Sequence, residues 1–273
     1  MAAAVAVGAG LGRLVFSVDR RHRQVALDNL RRALGGEGHD DVALTRIARG
    51  AMMNLGRTVA EIARMERLDG AELLRRVTIE GEEHLRAAQA QGRGVLFLAS
   101  HFGNWEWMGA ALALHGFPMH AVARALDDPS LNIRLNRARE RHGTIVLEKR
   151  LAAGELVRLL RSGQSIALLI DQNTRVEDAI FVDYFGTLAA THKGPAILAL
   201  RTGAPVVPIF MVREGDRHRL TILPALTIPR SGILADDLYQ ATALFTKTIE
   251  ATVRRHPDHW LWVHRRWKTR PKE

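Results

Sequence analysis

A histidine and a glutamate, His101 and Glu106, stand five residues apart in the stretch SHFGNWEWMG at 100–109, directly after the apolar run GVLFLAS (94–100). A carboxylate held against one imidazole nitrogen fixes the tautomer and stabilises the imidazolium. The other nitrogen is then free to take a proton from a hydroxyl. That is general-base chemistry, and it needs no covalent nucleophile. On one continuous helix, positions i and i+5 share a face poorly, so the pair needs a corner. GVLFLAS reads as a buried strand, Asn104 as an N-cap, and 105–114 as a helix whose first turn favours a carboxylate. In an open α/β sheet, the edge where strands end is the edge that binds ligands. The competing readings are a surface histidine beside a capped helix and a metal site. HExxH is absent and no second histidine lies nearby at ligand spacing, so no metal is expected.

The elements that must position this corner change character at residue 77. Before it the pattern is helical: QVALDNLRRAL (24–34) and 42–65 place apolar residues at spacings of three and four. After it come short apolar runs: VTIEG from 77, GVLFLAS, MHAVAR (119–124), TIVLEK (144–149), SIALLID (165–171), VVPIFMV (206–212) and LTILPAL (220–226). Helical stretches fall at 105–114, 129–141, 153–161, 194–202 and 234–255, with Gly143, Gly163 and Gly203 at the helix ends. This predicts an α/β fold: a mixed, largely parallel central sheet flanked by helices, with an N-terminal helical region. REGDR joins two neighbouring runs as an antiparallel hairpin. The parts are a helical region at 1–76 and an α/β domain at 77–273, together one structural unit.

The 273 residues are 47% hydrophobic and 25% charged, enough for a packed core. With no cysteine, the chain has no disulfide, thiolate metal site or cysteine nucleophile. The net charge is +10, a surface that attracts anionic lipid, an acidic carrier protein or nucleic acid, or one that is merely solvated. MAAAVAVGAGLGRLVF lacks the basic start of a secretory signal and is interrupted by Arg13. Followed by RRHR at 20–23, it reads as an interfacial anchor on an anionic membrane face, or as a buried helix.

HFGNWE resembles the H-x4-D/E motif of bacterial acyltransferases, in the form carried by the lipid A biosynthesis (late, lauroyl/myristoyl-type) acyltransferase family. Glycerophospholipid acyltransferases usually have asparagine before the histidine and aspartate for the glutamate; here Ser100 and Glu106 stand there. The resemblance continues through VALDNLRRAL (25–34), DQN (171–173), 181–210 and WLWVHRRWKTRP (260–271). The mycobacterial phosphatidylinositol mannoside acyltransferase shares the wider family. The resemblance implies a glycerolipid acyltransferase-like layered fold, with 1–76 membrane-associating and 77–273 catalytic. It also implies transfer from an acyl carrier protein or coenzyme A thioester to an anionic glycolipid hydroxyl at the cytoplasmic face of the inner membrane. No cofactor is required, and nucleic acid is no partner. His101 is then the general base, oriented by Glu106. The rival classes are a glycerophospholipid or mannoside acyltransferase and a catalytically silent glycolipid-binding protein.

Other residues join the candidate site. Arg124 ends a strand-like run; by resemblance an arginine in this block contacts the acceptor phosphate or the donor. Of Arg137, Arg139 and Arg141, which cannot all share a helix face, Arg139 is chosen. Asp171 ends SIALLID and orients an arginine, binds substrate or caps a loop. Thr191, Lys193 and Gly194 are read as opening a helix whose free amides suit a phosphate or an oxyanion. Alternation of Trp260, Trp262 and His264 supports a packed, extended final segment, while tryptophans beside Arg265 and Arg266 equally suit a headgroup-level membrane contact.

Overall fold

The computed structural model describes residues 1–148 and 153–271, so Lys149 of the TIVLEK run lies outside the described residues. Four helices precede the sheet: α1 (Ala2–Val18), α2 (Arg20–Leu34), α3 (Asp41–Met65) and α4 (Gly70–Arg75). α1 packs on α3 through Gly8, Gly12 and Gly56; a methyl group at any of them would overlap backbone of the facing helix. Asp19 ends α1 and caps α2 by accepting the His22 N–H, and the two axes meet at 90°. Among the described residues, no single helix is long and apolar enough to cross a membrane.

The rest alternates strand and helix: β1 (Val77–Glu80), α5 (Glu82–Gln89), β2 (Leu96–Ala99), α6 (Trp105–Leu114), β3 (Met119–Ala123), α7 (Pro129–Arg141), β4 (Thr144–Glu148), α8 (Ala153–Arg161) and β5 (Ile166–Leu169). A hairpin of β6 (Ala179–Tyr184) and β7 (Thr187–His192) follows. α9 (Gly194–Thr202), β8 (Val206–Glu214), β9 (Arg217–Ile222) and α10 (Leu234–Arg255) complete the order.

Seven strands form one sheet in the order β1-β9-β8-β2-β5-β3-β4. Only β8 and β9 pair antiparallel within it, so the sheet is mixed and largely parallel, as the sequence predicts. Central β2 is buried on both faces. Leu96 and Leu98 face the core shared with α2, α3, α9 and α10, whereas Phe97 and Ala99 face the core shared with α5 and α6. A strand covered by helices on both sides must be apolar throughout, and LFLA is.

Three expectations are corrected. The run LTILPAL leaves the strand at Ile222, one residue before Leu223 and two before Pro224. The segment 181–192 holds an unforeseen hairpin, so Thr191 lies in β7 and the helix begins after it, at Gly194. The last segment is not a strand: Trp260 makes one bridge to Phe102, and turns follow through Lys268.

Candidate active site

His101 and Asp171 meet because of strand register. β2 and β5 are parallel neighbours with Ala99 opposite Leu169. His101 lies two residues beyond the one strand end and Asp171 two beyond the other. The chain turns sharply at His101, with the Phe102 N–H donating to the Ser100 carbonyl at 2.7 Å. Gly103 follows at φ +60°, where a Cβ would run into the Met211 carbonyl of β8. Asn104 caps α6 by accepting the Trp107 N–H at 3.0 Å, as expected.

The Asp171 carboxylate is buried and takes three donors. His101 Nδ1 lies 2.9 Å from Oδ1, the His101 backbone N–H donates to Oδ2 at 2.9 Å, and the Trp260 indole donates to Oδ2 at 2.8 Å. With a carboxylate on Nδ1, that nitrogen carries the proton and Nε2 keeps its lone pair. Burial opposes the imidazolium, but the charge and hydrogen bond of Asp171, with the charge of Glu106, outweigh it. The His101 pKa is raised. Burial likewise pushes Asp171 up, yet the imidazole and the donated hydrogen bonds bring it below its ordinary value.

His101 and Trp105 line an apolar crevice walled by Ala48, Ala51, Met52 and Leu55 of α3 and by Trp260 and Trp262. The Trp105 ring meets the imidazole edge-on at 5.2 Å. The Gln172 carboxamide nitrogen sits 3.3 Å from His101 Nε2.

The pairing of Glu106 with His101 is corrected. Glu106 is bound on both oxygens by the Arg139 guanidinium, at 2.7 and 2.6 Å, and also accepts from the Trp105 indole at 3.2 Å. Buried and so forked, its oxygens are committed, and it acts on His101 through charge alone. Arg139 is the member of its trio that turns inward. Arg124 stands exposed and paired with Asp127; it follows β3, which β5 separates from β2. Thr191 is buried and receives the buried Arg266 guanidinium. Lys193 reaches the Glu177 carbonyl at 2.6 Å.

Sequence reasoning missed Gln172, the Trp260 indole and a polar stripe on α3. Asn54 donates to the Asp258 carbonyl at 2.8 Å, and the Thr58 hydroxyl donates to the Gly103 carbonyl at 3.2 Å. Glu61 accepts from Asn104 at 2.8 Å, from both arms of Arg213, and meets His218 at 3.1 Å. The signal was present: three polar residues at helical spacing interrupt an apolar stripe. This face grips the corner that carries His101. Among the described residues, no cluster of His, Asp and Glu could hold a metal ion.

A sequence profile of bacterial lipid A biosynthesis acyltransferases matches residues 1–269. The lipid A biosynthesis palmitoleoyltransferase of Escherichia coli K12 is 32% identical over 196 residues, 71% of this chain and 62% of that protein. The E. coli lipid A biosynthesis lauroyltransferase is 26% identical over 97% of this chain and 85% of its own length. The phosphatidylinositol mannoside acyltransferase of Mycolicibacterium smegmatis is 27% identical over 81% and 72%. Since the matching profile runs from the first helix through the corner to the tryptophan-rich end, the chain belongs to the bacterial lipid A biosynthesis acyltransferase family.

Proposed function

We propose that the protein is an O-acyltransferase that moves a fatty acyl chain from a carrier-protein or coenzyme A thioester to a hydroxyl of a lipid A precursor or related glycolipid. The observation that carries this reading is the His101–Asp171 pair at the ligand edge of the sheet, with Nε2 turned away from Asp171 toward the neutral Gln172 carboxamide and the imidazole lining an apolar crevice. His101 Nε2 takes the hydroxyl proton as the oxygen attacks the thioester carbonyl. Asp171 stabilises the imidazolium as it forms. The tetrahedral adduct then collapses, the C–S bond breaks, and the departing thiolate takes the proton from His101. The Gln172 carboxamide, beside Nε2, is placed to donate to the oxyanion. No acyl-enzyme forms.

Work at the cytoplasmic face of the inner membrane is part of the same proposal. Val7, Leu11, Leu14 and Val18 of α1 are exposed, and basic residues follow at once in α2. The resemblance to a mannoside acyltransferase favours, as a second reading, a mannosylated phosphoinositide as the acceptor. Incubating the purified chain with acyl donor and each glycolipid, with mass spectrometry of the products, tests both. Thioester consumed without acylation of either lipid overturns the proposal.

A further inference from the structure

Two segments far apart in sequence, α2 and the turns at 265–268, form a second concavity of about 530 Å³. Arg21, Arg32, Arg265 and Lys268 line it, and each is exposed. Among the described residues none of the four has a carboxylate within salt-bridge distance. Asp28, the single acidic residue of the lining, accepts from Gln24 at 2.8 Å and lies 3.8 Å from Arg31, outside the groove. The wall beneath is rigid. Buried Asn29 donates to the carbonyls of Trp262 and His264, both at 2.7 Å. Buried Trp267 stacks on Tyr184 and carries the Arg32 guanidinium 5.8 Å from its ring centre.

Four cations around one concavity repel each other, and a low-dielectric wall strengthens their field; an anion removes that cost. Three of them are arginines, whose forked donors match phosphate oxygens. The groove begins where α2 leaves α1 at a right angle, one turn from the exposed apolar residues of α1. An apolar face that meets a cationic groove fits an amphiphile whose phosphate lies at the boundary. The far side of α2 supplies Ala26 to the crevice beside His101.

We propose that the groove of Arg21, Arg32, Arg265 and Lys268 is a binding site for the phosphate of a membrane-lipid headgroup. It seats the protein on an anionic lipid surface and turns the His101 crevice toward it. The proposal rests on the reading that the chain works at a lipid surface, and its test needs no acyl transfer. The probes are vesicles of phosphatidylcholine alone and of phosphatidylcholine with phosphatidic acid, mixed with the full chain in co-sedimentation.

The wild type and the inactive His101→Ala variant should bind the phosphatidic acid vesicles equally, and more weakly as salt rises. The triple variant Arg21→Gln, Arg265→Gln, Lys268→Gln should bind them about 10- to 100-fold more weakly. A control that loses equal charge elsewhere, Arg161→Gln, Arg201→Gln, Arg217→Gln, should lose far less. Equal losses in the two triples would overturn the site in favour of diffuse charge. Normal vesicle binding by the groove triple, with a raised KM for the thioester donor, would overturn it in favour of a donor site. Absence of vesicle binding by the wild type defeats the lipid-surface reading itself, whereas failed transfer with intact vesicle binding defeats only the catalytic one.

Discussion

Two histidine–carboxylate contacts of nearly equal length have opposite characters. His101 meets Asp171 at 2.9 Å and His218 meets Glu61 at 3.1 Å. Around Asp171 the other donors are neutral, an indole and a backbone N–H, so its charge acts on the imidazole and raises the His101 pKa. Glu61 is also forked by Arg213. Burial pushes Glu61 up, but His218 and Arg213 together bring it down to about 2, and burial keeps His218 below its ordinary value. The His218 side chain is 0% exposed, whereas that of His101 is 22% exposed. The His101 pair lacks a competing cation, and its second nitrogen meets the neutral Gln172 carboxamide, 3.3 Å away. The other pair holds a loop in place.

Four substitutions break or sharpen this contrast, given from the largest effect to the smallest. His101→Ala should lower thioester turnover about 10²–10⁴-fold while circular dichroism keeps the folded spectrum; near-normal turnover removes His101 from the mechanism. Asp171→Asn should cost about 10²-fold or more, because Nδ1 then faces an amide donor and the proton moves to Nε2. The base must be neutral, and its pKa is raised in the wild type. The rising limb of rate against pH should therefore be displaced upward from the ordinary histidine value, and Asp171→Asn should move it to lower pH. An unmoved limb would show that the two residues do not titrate together.

At the second pair the effect should be on stability. Glu61→Gln leaves Arg213 buried without its counter-charge, which costs about 3–5 kcal/mol in urea unfolding. A carboxyl whose folded pKa is depressed contributes stability above its unfolded value and loses it as pH falls toward the folded one. From 4.5 to about 2, that is on the order of 3 kcal/mol lost on acidification. In Glu61→Gln this acid sensitivity should flatten; an unchanged slope means another group sets it. Thr58→Val removes only the hydroxyl on the Gly103 carbonyl, about 1 kcal/mol, and turnover per folded molecule should stay within severalfold.

Most of the fold was legible because period and punctuation agree: the helices at 105–114, 129–141, 194–202 and 234–255 begin and end where the pattern places them. The hairpin of β6 and β7 was not. Its two-residue turn is Phe185-Gly186, with Phe185 at φ +56°, where asparagine or glycine is the usual signal. Glu250 of α10 accepts the Phe185 N–H at 3.0 Å, so a distant contact holds a turn that its own residues do not favour. The alternation at 260–264 misled for a related reason. Asn29 captures the carbonyls of 262 and 264, and these side-chain bonds replace a strand ladder. At the site, His101, Glu106, Arg139 and Asp171 were all named, but their partners were exchanged. Five residues of separation made Glu106 look like the orienting group. That Asp171 takes the place instead depends on β5 lying between β2 and β3, a matter of sheet order that local spacing does not contain.

The indole of Trp260 on Asp171 has a consequence for how the protein is made. Asp171 is held by residues seventy before it and eighty-nine after it. Closing such long loops is a late and slow event in folding. A chain emerging from the ribosome has its histidine and its carboxylate long before it has the residue that locks them. Competence is therefore expected in one late step, after Trp260 is released. On the proposed mechanism, the unfinished chain until then has no set imidazole with which to squander activated acyl groups on water.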